Sequence, residues 1–426
     1  MKRPYGIQIH VAGVNHSTTP IEIRERLAVS NDRLPDALSL LHKYVSQGLI
    51  LSTCNRIEIY SVAGSGDSSQ PGVDFFKAWA KVSDADLSSY VYCYRDEAAV
   101  SHLFRVASGL DSMIIGEFEI LGQVKNSLEE ASKAGVVEYP LRTLLQQSLR
   151  VGRQVREKTG ISKNALSVSS VAVELAAKAI GDLAKCKALV IGTGEAGRLV
   201  AKALKERGIA RITATSRSYE KASALARTLG GISADIGSLG QELAVCDIAI
   251  SCTGAPHFIL DLKTIENVMS ARSNRPLVII DIAVPRDVDP EVRRLSNIFL
   301  YCIDDFTHIS DRNRKQRETE IQRAMEIIES EVNRFASRWQ AMEVKPIISS
   351  LVGKAEAVRQ AQLKLTLKKL RRLSTEERQS LEAMTKAIVQ KILHDPIQRL
   401  KKDAKERDDY IRLVAELFQL DRDKSE

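Results

Sequence analysis

The chain has 426 residues, 44% hydrophobic and 27% charged, and its 62 Lys and Arg against 54 Asp and Glu leave a net charge of +8. Such figures describe a folded protein of two to four domains and exclude a disordered polymer. No apolar run approaches the roughly 20 residues that cross a bilayer, and the modest cationic excess suits a polyanionic partner without demanding one.

The six cysteines, at 54, 93, 186, 246, 252 and 302, form no CxxC pair and no Cys/His spacing of a metal site. Reduced thiols in a cytoplasmic setting are expected, with no disulfide framework and no metal. Lys2 and Arg3 are followed so soon by strand-like residues that no secretory signal is expected.

Residues 7–14 alternate as a half-buried strand does and end in the polar turn Asn15-His16-Ser17-Thr18-Thr19-Pro20. Helices are predicted from Ile21 to Leu27 and from Asp32 to Gln47, the second closed by Gly48. Leu49-Ile50-Leu51 leads into Ser52-Thr53-Cys54-Asn55-Arg56, after which Ile57-Glu58-Ile59 resumes strand alternation. This spacing puts Cys54 on a tight turn beside a cation. A thiol there is a candidate nucleophile, because Arg56 favours the thiolate; a lone cysteine is also often only a small buried apolar residue. Residues 64–72 form a Gly- and Ser-rich loop, and helices are predicted near 73–81, 97–107, 119–134, 141–158 and 167–181. The first third lacks regular βαβ alternation and reads as an α+β domain.

Residues 187–304 change character. Ala188-Leu189-Val190-Ile191 is a short, wholly apolar run, as a buried parallel strand should be. Further strands are predicted at 211–215, 246–252, 277–283 and 298–303, separated by helices near 195–207, 219–229 and 261–270, which argues for a doubly wound sheet. Gly192-Thr193-Gly194-Glu195-Ala196-Gly197 follows the first of these strands and opens a helix. That is the context in which glycines admit a pyrophosphate to a helix N-terminus. The second strand ends in Ser216-Arg217, where an NAD site would carry an acid. A hydroxyl and a cation instead suit the 2′-phosphate of NADPH, unless Arg217 is merely a surface charge.

Beyond residue 312 the pattern is helical. Ile321, Met325, Ile328, Val332, Phe335, Trp339 and Met342 form a heptad seam expected to stop at Lys345-Pro346. Ser374-Thr375-Glu376-Glu377 is a capping box opening a helix with Leu381, Met384, Ile388 and Ile392 on one face. It is expected to yield at Asp395-Pro396, before a last stretch with Ile411, Val414, Leu417 and Phe418. Apolar seams of this kind are expected to pack against a second copy of the chain or another domain, with dimerisation favoured. The Lys- and Arg-rich faces between 354 and 407 read as solvated, although contact with nucleic acid is an alternative.

Several strings together carry a resemblance. Gly13 to Pro20, Ser52 to Tyr60, His102 to Ser112, Gly116-Glu117 to Gly122-Gln123, and Asp281-Ile282-Ala283-Val284-Pro285-Arg286-Asp287-Val288 resemble the glutamyl-tRNA reductase family, in order over nearly the whole chain. The resemblance implies an α/β multidomain protein: an α+β catalytic domain at 1–160, a Rossmann-type doubly wound NADPH domain at 161–310, and a helical spine and dimerisation domain at 311–426. The family forms a V-shaped homodimer around a long spine helix.

It further implies NADPH-dependent reduction of glutamyl-tRNA to glutamate-1-semialdehyde, the first committed step of tetrapyrrole synthesis. Cys54 would form a thioester, with His102 supporting activity near the reacting carbonyl. Thr53, Asn55, Arg56, Ser112, Glu117 and Gln123 match positions that hold the glutamyl group, Arg56 by a forked contact with its carboxylate. The family's Pro-Gln is replaced by Phe118-Glu119, which puts an acid where an amide is usual. Glutamate-1-semialdehyde aminomutase is the implied recipient of the product. A dehydrogenase of the shikimate type, with no covalent step, and a dinucleotide-sensing dimer are the rival readings.

Overall fold

The computed structural model describes residues 8–64, 67–81, 87–163, 167–273, 275–306, 315, 317–370, 373–402 and 407–420; the side chains of 340–346, 401–402, 407–409 and 411–412 lie outside that description. The chain divides into two compact units. One comprises Ile9–Ala63 and Asp67–Glu329; the other consists mainly of Ser330–Glu426.

The larger unit holds both sheets. Its first part runs β1 (Gln8–Asn15), α1 (Ile21–Leu27), α2 (Leu34–Leu41), β2 (Gln47–Ser52), β3 (Arg56–Ala63), α3 (Pro71–Ala80), β4 (Tyr92–Arg95), α4 (Asp96–Ala107), α5 (Glu119–Lys133), α6 (Leu141–Lys158) and α7 (Val168–Ile180). The four strands lie in the order β2-β3-β1-β4, with β2 and β3 an antiparallel hairpin whose register pairs Ser52 with Ile57. Every residue of β3 is buried, so its polar side chains must find partners inside the protein.

Two expectations fail here. The helix foreseen from Asp32 to Gln47 is only Leu34–Leu41, because residues 47–52 are drawn into the hairpin. The strand Tyr92–Arg95 was not foreseen; it is four residues at a sheet edge, too short to show a period.

The second part runs β5 (Lys187–Ile191), α8 (Glu195–Glu206), β6 (Arg211–Ser216), α9 (Tyr219–Leu229), β7 (Ile232–Asp235), α10 (Leu239–Val245), β8 (Ile248–Ser251), α11 (Leu262–Ala271), β9 (Leu277–Asp281) and β10 (Ile298–Cys302). Its sheet has the order β10-β9-β8-β5-β6-β7, and all five strand pairs are parallel. The strand order reverses between β5 and β8, so their carboxyl ends open a crevice of the kind that takes dinucleotides. The doubly wound sheet is as expected, with β7 and α10 added.

The helical part has α12 (Glu318–Lys369), α13 (Thr375–Lys402) and α14 (Arg407–Leu417). The spine is 52 residues long and does not stop at Lys345-Pro346, nor does α13 yield at Pro396. A proline inside a helix removes one hydrogen bond and crowds one carbonyl, which kinks a long helix without ending it. Ile328, Val332, Phe335 and Trp339 of the seam are buried, while the side chains of Met342 and Ile411 lie outside the described residues. Both halves of the capping box form: Ser374 N donates to Glu377 Oε2 (2.7 Å) and Glu377 N to Ser374 Oγ (3.2 Å). Among the described residues no helix is long and apolar enough to cross a membrane.

Candidate active site

The hairpin turn between β2 and β3 is set by backbone bonds. Thr53 N donates to Arg56 O (2.8 Å), and Thr53 Oγ1 accepts from Asn55 N (3.2 Å) and Arg56 N (3.1 Å). His16 N donates to Asn55 O (2.9 Å), and Arg24 Nη1 to Cys54 O (2.8 Å). Cys54 is thereby held half-buried at the wall of a cavity of about 220 Å³. That is below the roughly 300–1,000 Å³ of drug-sized pockets and suits a small acyl chain. Ser52, Thr53, Glu119 and Gln123 share this wall. Facing them are Glu195, Ala196, Thr253 and residues 282–284, from the carboxyl edge of the parallel sheet. The predicted nucleophile and the glycine-rich turn therefore line one space.

The expected thiolate is not what the turn favours. Burial, with Glu117 and Glu119 adding to it, pushes the Cys54 thiol up to about 12, and the cation opposing this is Arg24. Arg56 is turned inward: it is buried, its Nη1 lies 2.7 Å from Glu58 Oε1, and its Nη2 donates to the Asp111 carbonyl. The guanidinium does not line the Cys54 cavity, where the forked contact with a substrate carboxylate was foreseen. The signal was present in the sequence, since Arg56, Glu58 and Tyr60 are spaced by two and must share one face of a strand.

Glu58 is the hub of the buried cluster. Its carboxylate also accepts from the Tyr60 and Tyr92 hydroxyls, and His102 Nε2 lies 2.8 Å from Oε1. Burial alone would raise Glu58, but Arg56 and His102 outweigh it and hold the carboxyl well below its usual range. Burial likewise opposes a charged His102, yet Glu58 and Asp111 prevail and raise its pKa. His102 Nδ1 lies 3.4 Å from Asp111 Oδ2, so both ring nitrogens face carboxylates. This is an anchored histidine behind the turn; it is absent from the wall that Cys54 lines.

The remaining predicted residues divide. Glu117 and Ser112 are buried side by side, and Asn55 Oδ1 lacks a hydrogen-bond partner among the described residues. Phe118 is 63% exposed and faces a separate cleft with Arg156, Lys158 and Arg323. Glu119 is pushed up to about 7 by burial first, then by Glu117 and Glu195. Sequence reasoning missed Arg24, whose chain neighbours do not mark it as inward-facing, and Glu58, which the two-residue spacing could have found.

The glycine-rich turn fits a dinucleotide. Gly192 has φ +109°, and a Cβ there would lie 2.6 Å from the Cys252 carbonyl oxygen. A Cβ at Gly197 would overlap the Gly192 carbonyl, whereas Gly194 has open space before it. Thr215 Oγ1, near the end of β6, is buried without a hydrogen-bond partner among the described residues. Thr193 and Gly194 border a second cavity of about 940 Å³ lined with Arg198, Lys202, Lys205 and Lys221. Ser216 donates to Ser218 O (2.7 Å), while Arg217 is exposed beside it. The floor of the crevice is tied by Asp287, which accepts from Ser251 Oγ (2.7 Å), Thr253 N (2.8 Å) and Thr253 Oγ1 (2.5 Å). Asp281 accepts the amides of Ala283, Asp287 and Val288.

Comparison with known proteins agrees with this geometry. The family model for the glutamyl-tRNAGlu reductase N-terminal domain matches residues 12–159, and that for the family's dimerisation domain matches 323–420. Residues 174–309 match shikimate/quinate 5-dehydrogenase. The chain is 43% identical over 397 residues to the glutamyl-tRNA reductase of Carboxydothermus hydrogenoformans, covering 92% of this chain and 88% of that one.

The chain belongs to the glutamyl-tRNA reductase family.

A second member, from Nitratidesulfovibrio vulgaris, is 39% identical over 422 residues, 97% of this chain and 95% of its own. The solved glutamyl-tRNA reductase of Methanopyrus kandleri is 30% identical, with a TM-score of 0.52 over 97% of this chain and 99% of that one. The shikimate-type match lies wholly within the dinucleotide-binding part, which explains why that part alone admits the rival dehydrogenase reading.

Proposed function

We propose that the protein reduces glutamate carried on its tRNA to glutamate-1-semialdehyde, the first step of tetrapyrrole synthesis, with NADPH as reductant and Cys54 as the covalent carrier. The observation that carries this reading is that Cys54 and the glycine-rich residues Glu195 and Ala196 line one cavity.

Cys54 begins as a thiol, so its proton needs an acceptor. Glu119 lies on the same wall and titrates near 7, which suits a general base. The sulfur forms a C–S bond to the glutamyl carbonyl carbon as the C–O bond to the terminal ribose breaks. The proton passes by way of Glu119 to the departing ribose oxygen. Thr53 and Gln123, on the cavity wall, position the glutamyl group with Asn55, Ser112 and Glu117 behind them, while Phe118 keeps to its separate cleft.

Gly192, Thr193, Gly194, Glu195, Ala196 and Gly197 would hold the pyrophosphate of NADPH, and Ser216 and Arg217 its 2′-phosphate. NADPH supplies the hydride that a thioester carbonyl accepts far more readily than an oxygen ester does. Once that carbon is reduced, the C–S bond breaks, the sulfur is reprotonated and the aldehyde departs. His102 acts at one remove, fixing Glu58 and Arg56 behind the turn.

The division at 1–160, 161–310 and 311–426, a homodimer through the helical part, a cytoplasmic setting and transfer of the product to glutamate-1-semialdehyde aminomutase belong to the same reading. The exposed Ile388 and Ile392 support the dimer. The test is the mass of the Cys54 peptide after incubation with glutamyl-tRNA and no NADPH. One added glutamyl group is expected; an unmodified peptide, with turnover once NADPH is added, would overturn the covalent route.

A further inference from the structure

Helix α1 is only seven residues long, yet two adjacent side chains on it reach the dinucleotide-binding part with opposite charge. Arg24 is fully buried, and each of its three nitrogens is engaged. Nε donates to Thr19 O (3.2 Å), Nη1 to the carbonyl of Cys54 (2.8 Å), and Nη2 to the carboxylate of Asp304. Glu25 does the converse, accepting from Arg286 N (2.7 Å), Nε (2.7 Å) and Nη2 (3.1 Å), while Arg286 Nη1 also lies 3.3 Å from Glu22.

Asp304 belongs to the short helix Ile303–Phe306 that follows β10. Arg286 follows β9, two residues after Val284, which lines the Cys54 cavity. The Arg286–Glu25 pair is mostly enclosed, with side chains 14% and 17% exposed. Asp304 is 34% exposed.

A cation meeting an acid at one point and an acid meeting a cation at the other admit one register. Any slip of the sheet edge along α1 would set like charges together or leave the buried Arg24 unpaired, and both are costly. One of these contacts ends on the backbone of Cys54 itself. The guanidinium thus spans the residue that carries the acyl group and the edge of the sheet that presents the glycine-rich turn.

We propose that Arg24 and Glu25, with Asp304 and Arg286, form a two-point catch that positions the dinucleotide-binding sheet against the Cys54 turn for reduction, while acyl loading proceeds without it. The proposal rests on the thioester reading above and deepens it. None of the four lines the cavity, so they are positioning residues. Ordinary stabilising ion pairs would affect loading and reduction alike; a catch separates them.

The test takes Asp304→Asn and Glu25→Gln in the full chain. Each variant is loaded from glutamyl-tRNA without NADPH, the acylated Cys54 peptide is measured by mass, and NADPH is then added for a single turnover. Loading within about threefold of wild type and reduction slowed at least tenfold are expected, with Asp304→Glu recovering most of the rate. Reduction within twofold of wild type, or loading and reduction falling together, would overturn the catch.

If the wild-type peptide never acylates, the thioester reading has failed, and the catch is judged by amide hydrogen exchange without substrate. Faster exchange in residues 53–57 and 282–288 together, in either variant, supports it. Exchange like that of the wild type refutes it.

Discussion

Oε1 of Glu58 lies 2.7 Å from Nη1 of Arg56, a residue two positions earlier on the same buried strand face. This contact, with His102 2.8 Å away on the same oxygen, holds Arg56 in the buried cluster behind the turn. Glu58→Gln leaves a buried cation short of its counter-charge and should cost about 3–5 kcal/mol in urea unfolding at neutral pH. The sign with pH follows from Glu58's depressed pKa. Its contribution is complete above the ordinary carboxylate range and is lost as pH falls through that range toward the depressed value. The stability gap between wild type and variant should therefore narrow in acid; a constant gap would mean that the carboxylate charge is not what is lost.

Loading of Cys54 should depend on Glu119. With Glu119 pushed up to about 7, single-turnover acylation by the wild type should rise with pH through that region as the carboxyl ionises. Glu119→Gln restores the amide usual in the family, so it should flatten this rise while slowing acylation only about threefold at neutral pH. Rapid-quench sampling of the acylated peptide across pH 5.5–8.5 reads both effects, and an unchanged profile would assign the proton to another acceptor.

A methyl group at position 197 should act on the cofactor alone. The Cβ of Gly197→Ala would overlap the Gly192 carbonyl and displace the turn. NADPH binding by fluorescence titration should weaken at least tenfold, while mass measurement still finds the loaded Cys54 peptide.

Arg217→Ala should weaken NADPH about tenfold and leave NADH nearly unchanged, because β6 runs out into Ser216 and an exposed Arg217 where an NAD site would carry an acid. Equal losses for both cofactors in the same titration would remove Arg217 from 2′-phosphate recognition.

On α13, Ile388 and Ile392 are 48% and 65% exposed beside a groove that also contains Leu351, Val358 and Phe418. Ile392→Asp should shift sedimentation from dimer to monomer with little change in helix content.

Much of the fold was legible because its signals are local. The apolar strand Lys187–Ile191, the glycines after it and the capping box at Ser374 each declare themselves within a few residues. The seams were legible too, but Pro346 and Pro396 were misread as stops because a local rule overrode helices held along their whole length. The site was legible in its membership and less so in its electrostatics. Cys54 was set beside Arg56 by sequence, whereas in the fold the cation on its carbonyl comes from Arg24, thirty residues away. The pairing of Glu58 with His102 spans forty-four residues and leaves no periodic trace.

The turn that presents Cys54 is drawn by Thr53, Asn55, Arg56, His16 and Arg24, and none of these bonds uses the side chain at position 54. The scaffold is therefore a socket indifferent to the atom it displays. Selenium introduced there by semisynthesis would keep the backbone as it is, and since a selenol is a stronger acid than a thiol, a larger fraction of the displayed nucleophile would be ionised at any given pH.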